Sequence, residues 1–189
     1  MDRLPGVRRE QLTEDGQTLW DAIAESAGPT VISADGGLHG PFNAWVIAPH
    51  IGGRVAELGT ALRFRTSIEQ RLTELAIITT GARWRAEFEW WAHARLARQQ
   101  GIADEVIDAI GRGVSPPLTR DDEQVVYDVA DQLARTGRLT DATYKAAHEL
   151  LGDVGVVELV SLCGYYALVS FTLNALEVPL PEGVPTTFA

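Results

Sequence analysis

The order of apolar and polar positions along this chain predicts helices rather than strands. Within residues 7–26, Leu12, Leu19, Trp20 and Ile23 recur at the spacing of one helical face, so an amphipathic first helix is expected. No stretch of useful length alternates with the period of two that a half-buried strand requires, and no repeat of fixed period stands out. The pattern therefore favours an all-α fold.

Glycine, proline and capping residues divide this helical pattern. Residues 27–49 are rich in glycine and proline and predict a long loop with one helical turn near residues 43–46. Ser67 and Gln70 have the spacing of a capping box and predict a helix that reaches about residue 82. The other helices are expected over 51–63, over 85–100 with Gly101 at its end, over 103–112, from Thr119 to 136, from Thr140 to 151, and over 154–176. Together they make about seven or eight helices.

Length and charge limit the classes of function. The 189 residues fit one domain, expected to span 1–189. A formal net charge of −10 argues against nucleic acid or an anionic membrane as a partner, because both require clustered Lys and Arg. The amino terminus lacks the apolar region of a secretory signal, and the single cysteine, Cys163, can form no internal disulfide, so a cytoplasmic location is expected. Residues 159–176 carry no formal charge and predict a buried or subunit-interface helix rather than a membrane span.

Two carboxylates and an imidazole occur at helical spacing inside apolar segments. Glu89 and His93 are four residues apart and share one face of the helix expected over 85–100. Glu74 lies on the preceding helix, and the short connection at Arg83-Trp84 predicts an αα-hairpin that could bring Glu74 towards His93. A carboxylate bonded to an imidazole holds the ring and raises its basicity, as a general acid/base near neutral pH requires.

Two other interpretations of these residues stay open. Glu and His four residues apart form ordinary surface pairs on many helices. Glu74, Glu89 and His93 could also supply two oxygens and a nitrogen to a cation. Their spacing is neither the His-Glu-x-x-His of zincins nor the Glu-x-x-His of di-iron bundles, so no metal site is predicted.

Candidate substrate-binding residues surround this motif. Arg83, or Arg85 beside it, could anchor an anionic group, although both also suit a solvated surface. Trp90 and Trp91 are adjacent and point in different directions, so at most one is expected to face the same pocket as His93. Tyr165, in the uncharged helix, either faces the site or packs in the core, where its phenol needs a hydrogen-bond partner. Arg83, Trp90 and Tyr165 are the predicted binding residues.

The motif resembles the carboxymuconolactone decarboxylase family, whose all-helical fold is shared with the alkylhydroperoxidase D proteins. The resemblance is carried by Glu74-Leu75-Ala76-Ile77, by Glu89 with His93, and by the acidic short helix at Asp104-Glu105. It is best over residues 41–112, less specific over the C-terminal helices at 119–180, and weakest over 1–40. The peroxidase branch has the pattern Glu-x11-Cys-x2-Cys-x3-His. Here Ala86 and Glu89 stand at the two cysteine positions, while the glutamate and the histidine remain.

The missing cysteines bear on the reaction. Thiol peroxidase chemistry needs one thiolate to attack the peroxide and a second thiol to resolve the sulfenate, so a disulfide-cycling peroxidase is not expected. The resemblance then implies a lyase without metal or organic cofactor, acting on a lactone or carbonyl carboxylate. In this chain, His93 would be the proton donor or base, Glu89 a second acid/base or polarising group, and Glu74 the residue that orients His93. It also implies a homo-oligomer, as a dimer, trimer or hexamer. The alternatives are a peroxidase-related redox protein and a non-catalytic oligomeric member that binds a ligand.

Overall fold

The computed structural model describes residues 3–28 and 31–188, so Pro29 and Thr30 of the predicted loop lie outside the described residues, as do Met1, Asp2 and Ala189. The described residues form α-helices, a short 3-10 helix at Arg9–Gln11, and no strand beyond one isolated bridge between Ile32 and Leu38. The all-α prediction is therefore confirmed. The eight α-helices are α1 Glu14–Ala27, α2 Phe42–Ile47, α3 Pro49–Phe64, α4 Gln70–Arg83, α5 Glu87–Gln99, α6 Asp104–Gly111, α7 Asp121–Thr136 and α8 Asp141–Ala175.

The chain divides into two compact units. The first comprises Met1–Ala61 and Thr172–Pro179, and the second comprises Leu62–Phe171 and Leu180–Ala189. The single domain expected over 1–189 stays a prediction. Every residue of the Glu74, Glu89 and His93 motif belongs to the second unit.

The first unit contains its own apolar core beneath α1. Ile23, Val31, Leu38 and Val46 form this core, with partly buried side chains such as Trp20 packed against it. The first helix was expected over 7–26, but it begins only at Glu14, because the Thr13 hydroxyl accepts a hydrogen bond from the Gly16 N–H and caps it there. The helical turn expected near 43–46 is present as α2.

Helix α4 is the central element of the second unit. Every residue from 71 to 81 is buried, and α4 packs against α5, α6 and α7. A helix covered on all sides cannot rely on an apolar stripe alone, so its polar side chains must find partners inside the protein. The Thr79 and Thr80 hydroxyls do so by donating to the carbonyls of Leu75 and Ala76 one turn earlier.

Ser67, Thr119 and Thr140 are the predicted N-caps of three helices, and two of these predictions are wrong and one is right. The capping box at Ser67 does not form: the backbone N–H and the hydroxyl of Ser67 both donate to the Glu158 carboxylate, at 2.9 and 2.7 Å, and α4 begins later at Gln70. Thr119 caps nothing, because α7 begins at Asp121 with Arg120 before it. The Thr140 hydroxyl does accept from the N–H of the third residue of α8, at 3.2 Å. At Ser67, the hydrogen bonds to the distant Glu158 therefore outweigh the local capping signal.

Helix α8 carries the apolar segment predicted over 154–176. Gly152 interrupts it with φ 66° and ψ −177°, a conformation outside the helical region that glycine adopts at little cost. The break separates the two helices expected over 140–151 and 154–176. By length and composition α8 could cross a membrane, but half of its most apolar stretch is buried inside the protein, as in the core helix of a soluble protein.

Candidate functional site

The αα-hairpin of α4 and α5 positions the three motif residues. Residues 84–86 connect the two helices, and α4 and α5 pack against each other along their length. Glu74 comes from the buried middle of α4, while Glu89 and His93 come from the buried face of α5. The structure thus brings together the three residues that the sequence predicts to meet.

His93 lies between the two carboxylates. Its Nδ1 is 2.7 Å from Glu74 Oε2, a hydrogen bond that joins the two helices. Its Nε2 is 3.0 Å from Glu89 Oε1, but the two groups are misaligned and this buried oxygen has no hydrogen-bond partner. The exposed fractions are 1 % for Glu74, 4 % for Glu89 and 7 % for His93, so the ordinary solvated surface pair is excluded. Glu89 therefore interacts with His93 through charge, and its Oε1 atom accepts no hydrogen bond.

Arg63, at the end of α3, completes the charge balance of this cluster. Its Nη2 is 3.5 Å from Glu74 Oε1, and the Gln70 amide donates to the same oxygen at 3.4 Å. With His93 protonated, the cluster holds two cations and two carboxylates and is neutral. With His93 neutral, it would hold an uncompensated negative charge inside the protein, which is costly.

This balance determines the protonation of the imidazole. Burial alone would lower the pKa of His93, but the charges of Glu89 and Glu74 outweigh burial and raise its pKa to about 9. At neutral pH, His93 is therefore an imidazolium held between two carboxylates. In that state it can donate a proton, whereas it cannot accept one.

An aromatic pair from α8 packs beside the imidazole. The Tyr166 ring meets the His93 ring edge to face, with centroids 5.2 Å apart, and Tyr165 packs on Tyr166 in the same way. Burial raises the pKa of both phenols, with a further contribution from the charge of Glu89. Both therefore remain neutral at any ordinary pH. Tyr165, the predicted binding residue, packs on Tyr166, which in turn packs on the imidazole.

The other two predicted binding residues lie differently. Trp90 is buried, and its ring packs edge to face on Phe188, with centroids 5.4 Å apart, while neighbouring Trp91 is 40 % exposed. Arg83 is exposed and lines a cavity of about 190 Å³ whose lining includes none of the three motif residues. The structure does not bring Arg83 to the imidazole, and its role in binding stays a prediction.

Two further observations concern redox and metal chemistry. Cys163 is buried, and burial raises the pKa of its thiol to about 12, so it carries no thiolate at neutral pH. Across residues 3–28 and 31–188, no group of three or more His, Cys, Asp or Glu side chains is arranged to hold a metal ion.

Sequence reasoning missed two members of the cluster. Arg63 precedes Glu74 by eleven positions on another helix, and no local pattern connects the two residues. Tyr166 follows the predicted binding residue Tyr165 in the chain, and its place beside His93 depends on the contact between α8 and α5. The one available signal was that two buried carboxylates need more than one positive partner, so a cation besides His93 had to lie nearby in the fold.

Comparisons with known proteins identify the fold. The sequence matches no protein-family profile and no curated protein. Among solved structures, the chain is similar to the alkylhydroperoxidase AhpD core of an uncharacterized peroxidase-related protein from Ralstonia eutropha, with a TM-score of 0.75 and 14% identity over 98% of this chain and 94% of that one. It is also similar to a protein of unknown function from Agrobacterium tumefaciens, suggested to be the antioxidant-defence protein AhpD, with a TM-score of 0.66 and 14% identity over 74% and 96%. The chain therefore has an alkylhydroperoxidase D-like fold.

Proposed function

We propose that this protein is a cofactor-independent lyase that uses His93 as a proton donor to a lactone or carbonyl carboxylate, as carboxymuconolactone decarboxylase-like enzymes do. The single observation that carries the proposal is the buried imidazole of His93 between Glu74 and Glu89, 2.7 and 3.0 Å away. Protonation of carbon after loss of CO₂ requires an acid that keeps its proton at neutral pH and is shielded from water. A pKa of about 9 at a buried position meets both requirements.

The proposed step conserves atoms and charge. The bond between the carboxylate carbon and the neighbouring carbon breaks, CO₂ leaves, and the electron pair passes into the conjugated carbonyl. The proton on Nε2 then goes to carbon, because the Nδ1 proton is engaged by Glu74 while Nε2 faces Glu89 without an aligned bond. Loss of that proton leaves the cluster with a negative charge, which draws a replacement proton from water.

His93→Gln tests this role, with His148→Gln as the matched control. His148 is an exposed histidine that contacts Asp153 at 3.0 Å and lies outside the cluster. On a panel of lactone and carbonyl carboxylates followed by CO₂ release, His93→Gln should lower kcat by roughly 10²–10⁴-fold, the usual contribution of a general acid. His148→Gln should leave kcat unchanged, and the wild-type rate should fall as the pH rises through about 9. Full turnover by a folded His93→Gln protein would overturn the proposal.

The peroxidase alternative has a clear test of its own. A single buried thiol with a raised pKa gives little thiolate for attack on a peroxide. Peroxidase activity that disappears in Cys163→Ser would establish the redox function instead. A non-catalytic member would bind its ligand without turnover in wild type and in His93→Gln alike.

We propose that a second copy of this chain covers the exposed face of α8. Val154 and Val157 are 67 % and 65 % exposed. Further exposed, uncharged residues follow them along α8 at alternating spacings of three and four residues. This spacing is typical of a helix face that packs against another helix. The positions of this face, called here the α8 seam, are Val154, Val157, Ser161, Gly164, Leu168 and Phe171. A cytoplasmic oligomer with a small-molecule substrate, and without nucleic acid or membrane as partner, agrees with the chain's negative charge.

Light scattering tests the assembly. Val157→Glu should reduce the particle mass to that of one chain, because each copy would place a charge in the seam. Leu58→Glu, at an exposed leucine on α3, is the matched control and should keep the wild-type mass. A monomeric wild type, or an unchanged mass in Val157→Glu, would refute the role of the seam.

A further inference from the structure

The 190 Å³ cavity beside α4 is lined by an unusual concentration of positive charge. Arg83, Arg85, Arg112 and Arg135 all line it, and among the described residues of the lining Asp131 supplies the one carboxylate. Four of the chain's sixteen Lys and Arg residues thus meet at one cavity, in a protein whose net charge is −10. The lining is therefore positively charged, although the whole molecule is negatively charged.

The contacts of these arginines leave much of that charge uncompensated. Only Arg135 has an acidic partner in the lining, with its Nε 2.7 Å from Asp131 Oδ1. Arg85 and Arg112 donate to main-chain carbonyls, those of Phe188 and Asp108, which carry no formal charge. Arg83 has no hydrogen-bond or ion-pair partner among the described residues. A doubly charged anion would therefore find guanidinium donors that no carboxylate occupies.

The backbone at Arg85 supports a role for its side chain. Arg85 has a φ of 53°, in the left-handed region, directly after the end of α4. Glycine is the usual residue at such a position, and a non-glycine residue there costs about 1 kcal/mol. An arginine occupies this position despite the cost, and its guanidinium donates to the carbonyl of Phe188, which also lines the cavity.

The remaining lining suits the body of an organic molecule. Ile110, Val114, Tyr127 and Phe188 supply apolar and aromatic surface between the charged groups. The volume is below the roughly 300–1,000 Å³ of sites for drug-sized ligands, which limits the ligand to a small one. A lining that combines guanidinium groups with apolar and aromatic side chains is suited to a small organic acid.

This cavity is separate from the His93 cluster. Thr79, Ala82 and Arg83 line it from α4, and they are turned away from Glu74 by roughly 80–180° at 100° per residue. None of Glu74, Glu89 and His93 belongs to the lining. The cavity therefore offers a second binding site that does not depend on the acid/base proposal.

We propose that the four-arginine cavity binds a small organic anion with at least two negative charges. Calorimetric titration of the full chain with pyrophosphate and with benzene-1,2-dicarboxylate tests it, since the two probes compare phosphate with carboxylate as the recognised group. The double variant Arg83→Ala/Arg112→Ala should weaken binding of the better probe by about tenfold or more, equivalent to about 1.4 kcal/mol. Neither side chain has an acidic partner within the described residues, so the fold should be retained.

Two further variants make the test specific. Arg95→Ala removes the same charge from an exposed position on α5 outside the cavity and should change the affinity less than twofold. Asp131→Asn removes the single carboxylate of the lining, frees Arg135, and should tighten binding several-fold. His93→Gln should still bind the probe, which separates this proposal from the catalytic one. Equal losses in Arg95→Ala and the double variant, weaker binding in Asp131→Asn, or no binding of either probe at millimolar concentration would each overturn it.

Discussion

Two buried ion clusters lie on the same helix, α4, and only one of them can change its charge. Arg71, one turn before Glu74, donates from Nη1 to Glu123 at 2.5 Å and from Nη2 to Asp122 at 2.7 Å, and so ties α4 to α7. Glu74 instead faces α5 and the imidazole of His93. The first cluster is built around a guanidinium, which keeps its proton at every accessible pH. The second is built around an imidazole, whose charge depends on its carboxylate neighbours.

This difference shows how one fold can contain both an ion cluster that stabilises the structure and an ion cluster that can take part in proton transfer. The Arg120 and Arg71 guanidiniums hold the pKa of the Asp122 carboxyl well below its ordinary range, so that cluster is fixed in one charge state. In the other cluster, neutrality depends on one proton at His93, and Glu89 Oε1 keeps an unused acceptor. A satisfied buried network stabilises a helix pair, while an incompletely satisfied one with a titratable centre is suited to proton transfer.

The largest expected effect is the loss of stability when the Arg71 cluster is disrupted. Arg71→Leu removes the close buried partner of Glu123, leaves only the distant Arg120 guanidinium at 3.9 Å among the described residues, and should lower the free energy of unfolding by about 3–5 kcal/mol. Urea unfolding at pH 7 measures it. Arg120→Leu is the control, because Arg120 is 58% exposed and solvent screens its pair with Asp122, so a much smaller loss of stability is expected. A cost below about 1 kcal/mol for Arg71→Leu would show that the buried pair is not structural.

The next effect is a pH dependence of stability that the arginine cluster cannot produce. The pKa of His93 is about 9 in the folded protein and about 6.5 when unfolded, so the folded state binds more protons between these values. The stabilisation is fully present below pH 6.5, declines as the pH rises, and is lost above 9, a change of about 3 kcal/mol. Urea unfolding at pH 6 and pH 9 measures this decline.

A histidine variant isolates the source of this slope. His93→Gln should flatten the profile between pH 6.5 and 9, whereas the exposed His148→Gln should keep it. Burial also raises the pKa of the Cys163 thiol, from about 9 to about 12, so any decline above pH 9 has a second contributor. An unchanged slope in His93→Gln would mean that the imidazole is not the group that titrates.

The sequence predicts one of these clusters and not the other for a physical reason. Glu89 and His93 are joined by helical spacing, and a three-residue connection folds Glu74 back towards them, so the contact is local in the chain. Arg71 and Glu123 are 52 residues apart, and no periodic pattern relates them. Their contact depends on how α4 packs on α7. Apolar spacing predicts that each helix has a buried face, but it does not predict which polar residues of the two helices will pair.

The same limit explains the errors at helix ends and the missed cavity. Ser67 and Gln70 form a valid local capping signal, but Glu158, 91 residues away, takes both donors of Ser67. Arg83 and Arg85 were considered as anionic anchors for the motif, whereas the fold turns them towards Arg112 and Arg135 of other elements. Glycine, proline and apolar periodicity were enough to predict where helices occur. The partners of long polar side chains depend on tertiary packing, which these local patterns do not determine.

The smallest effect is the most direct test of whether the two clusters are independent. Glu89→Gln and Glu74→Gln each remove a negative charge from His93 and should each lower its pKa by roughly 1–2 units. Glu89→Gln should have the larger effect, because Arg63 already compensates part of the charge on Glu74, while Glu89 forms no ion pair with a described residue other than His93. NMR titration of the imidazole, assigned by its absence in His93→Gln, measures both values.

Glu123→Gln is the control that decides the comparison. Glu123 is buried like Glu89, but its partners are Arg71 and Arg120, and it is not among the groups that shift the pKa of His93. The substitution should destabilise the fold and leave the imidazole titration in place. A pKa shift in Glu123→Gln as large as that in Glu89→Gln would mean that α4 carries one coupled network, and the division into a structural and a chemical cluster would be wrong.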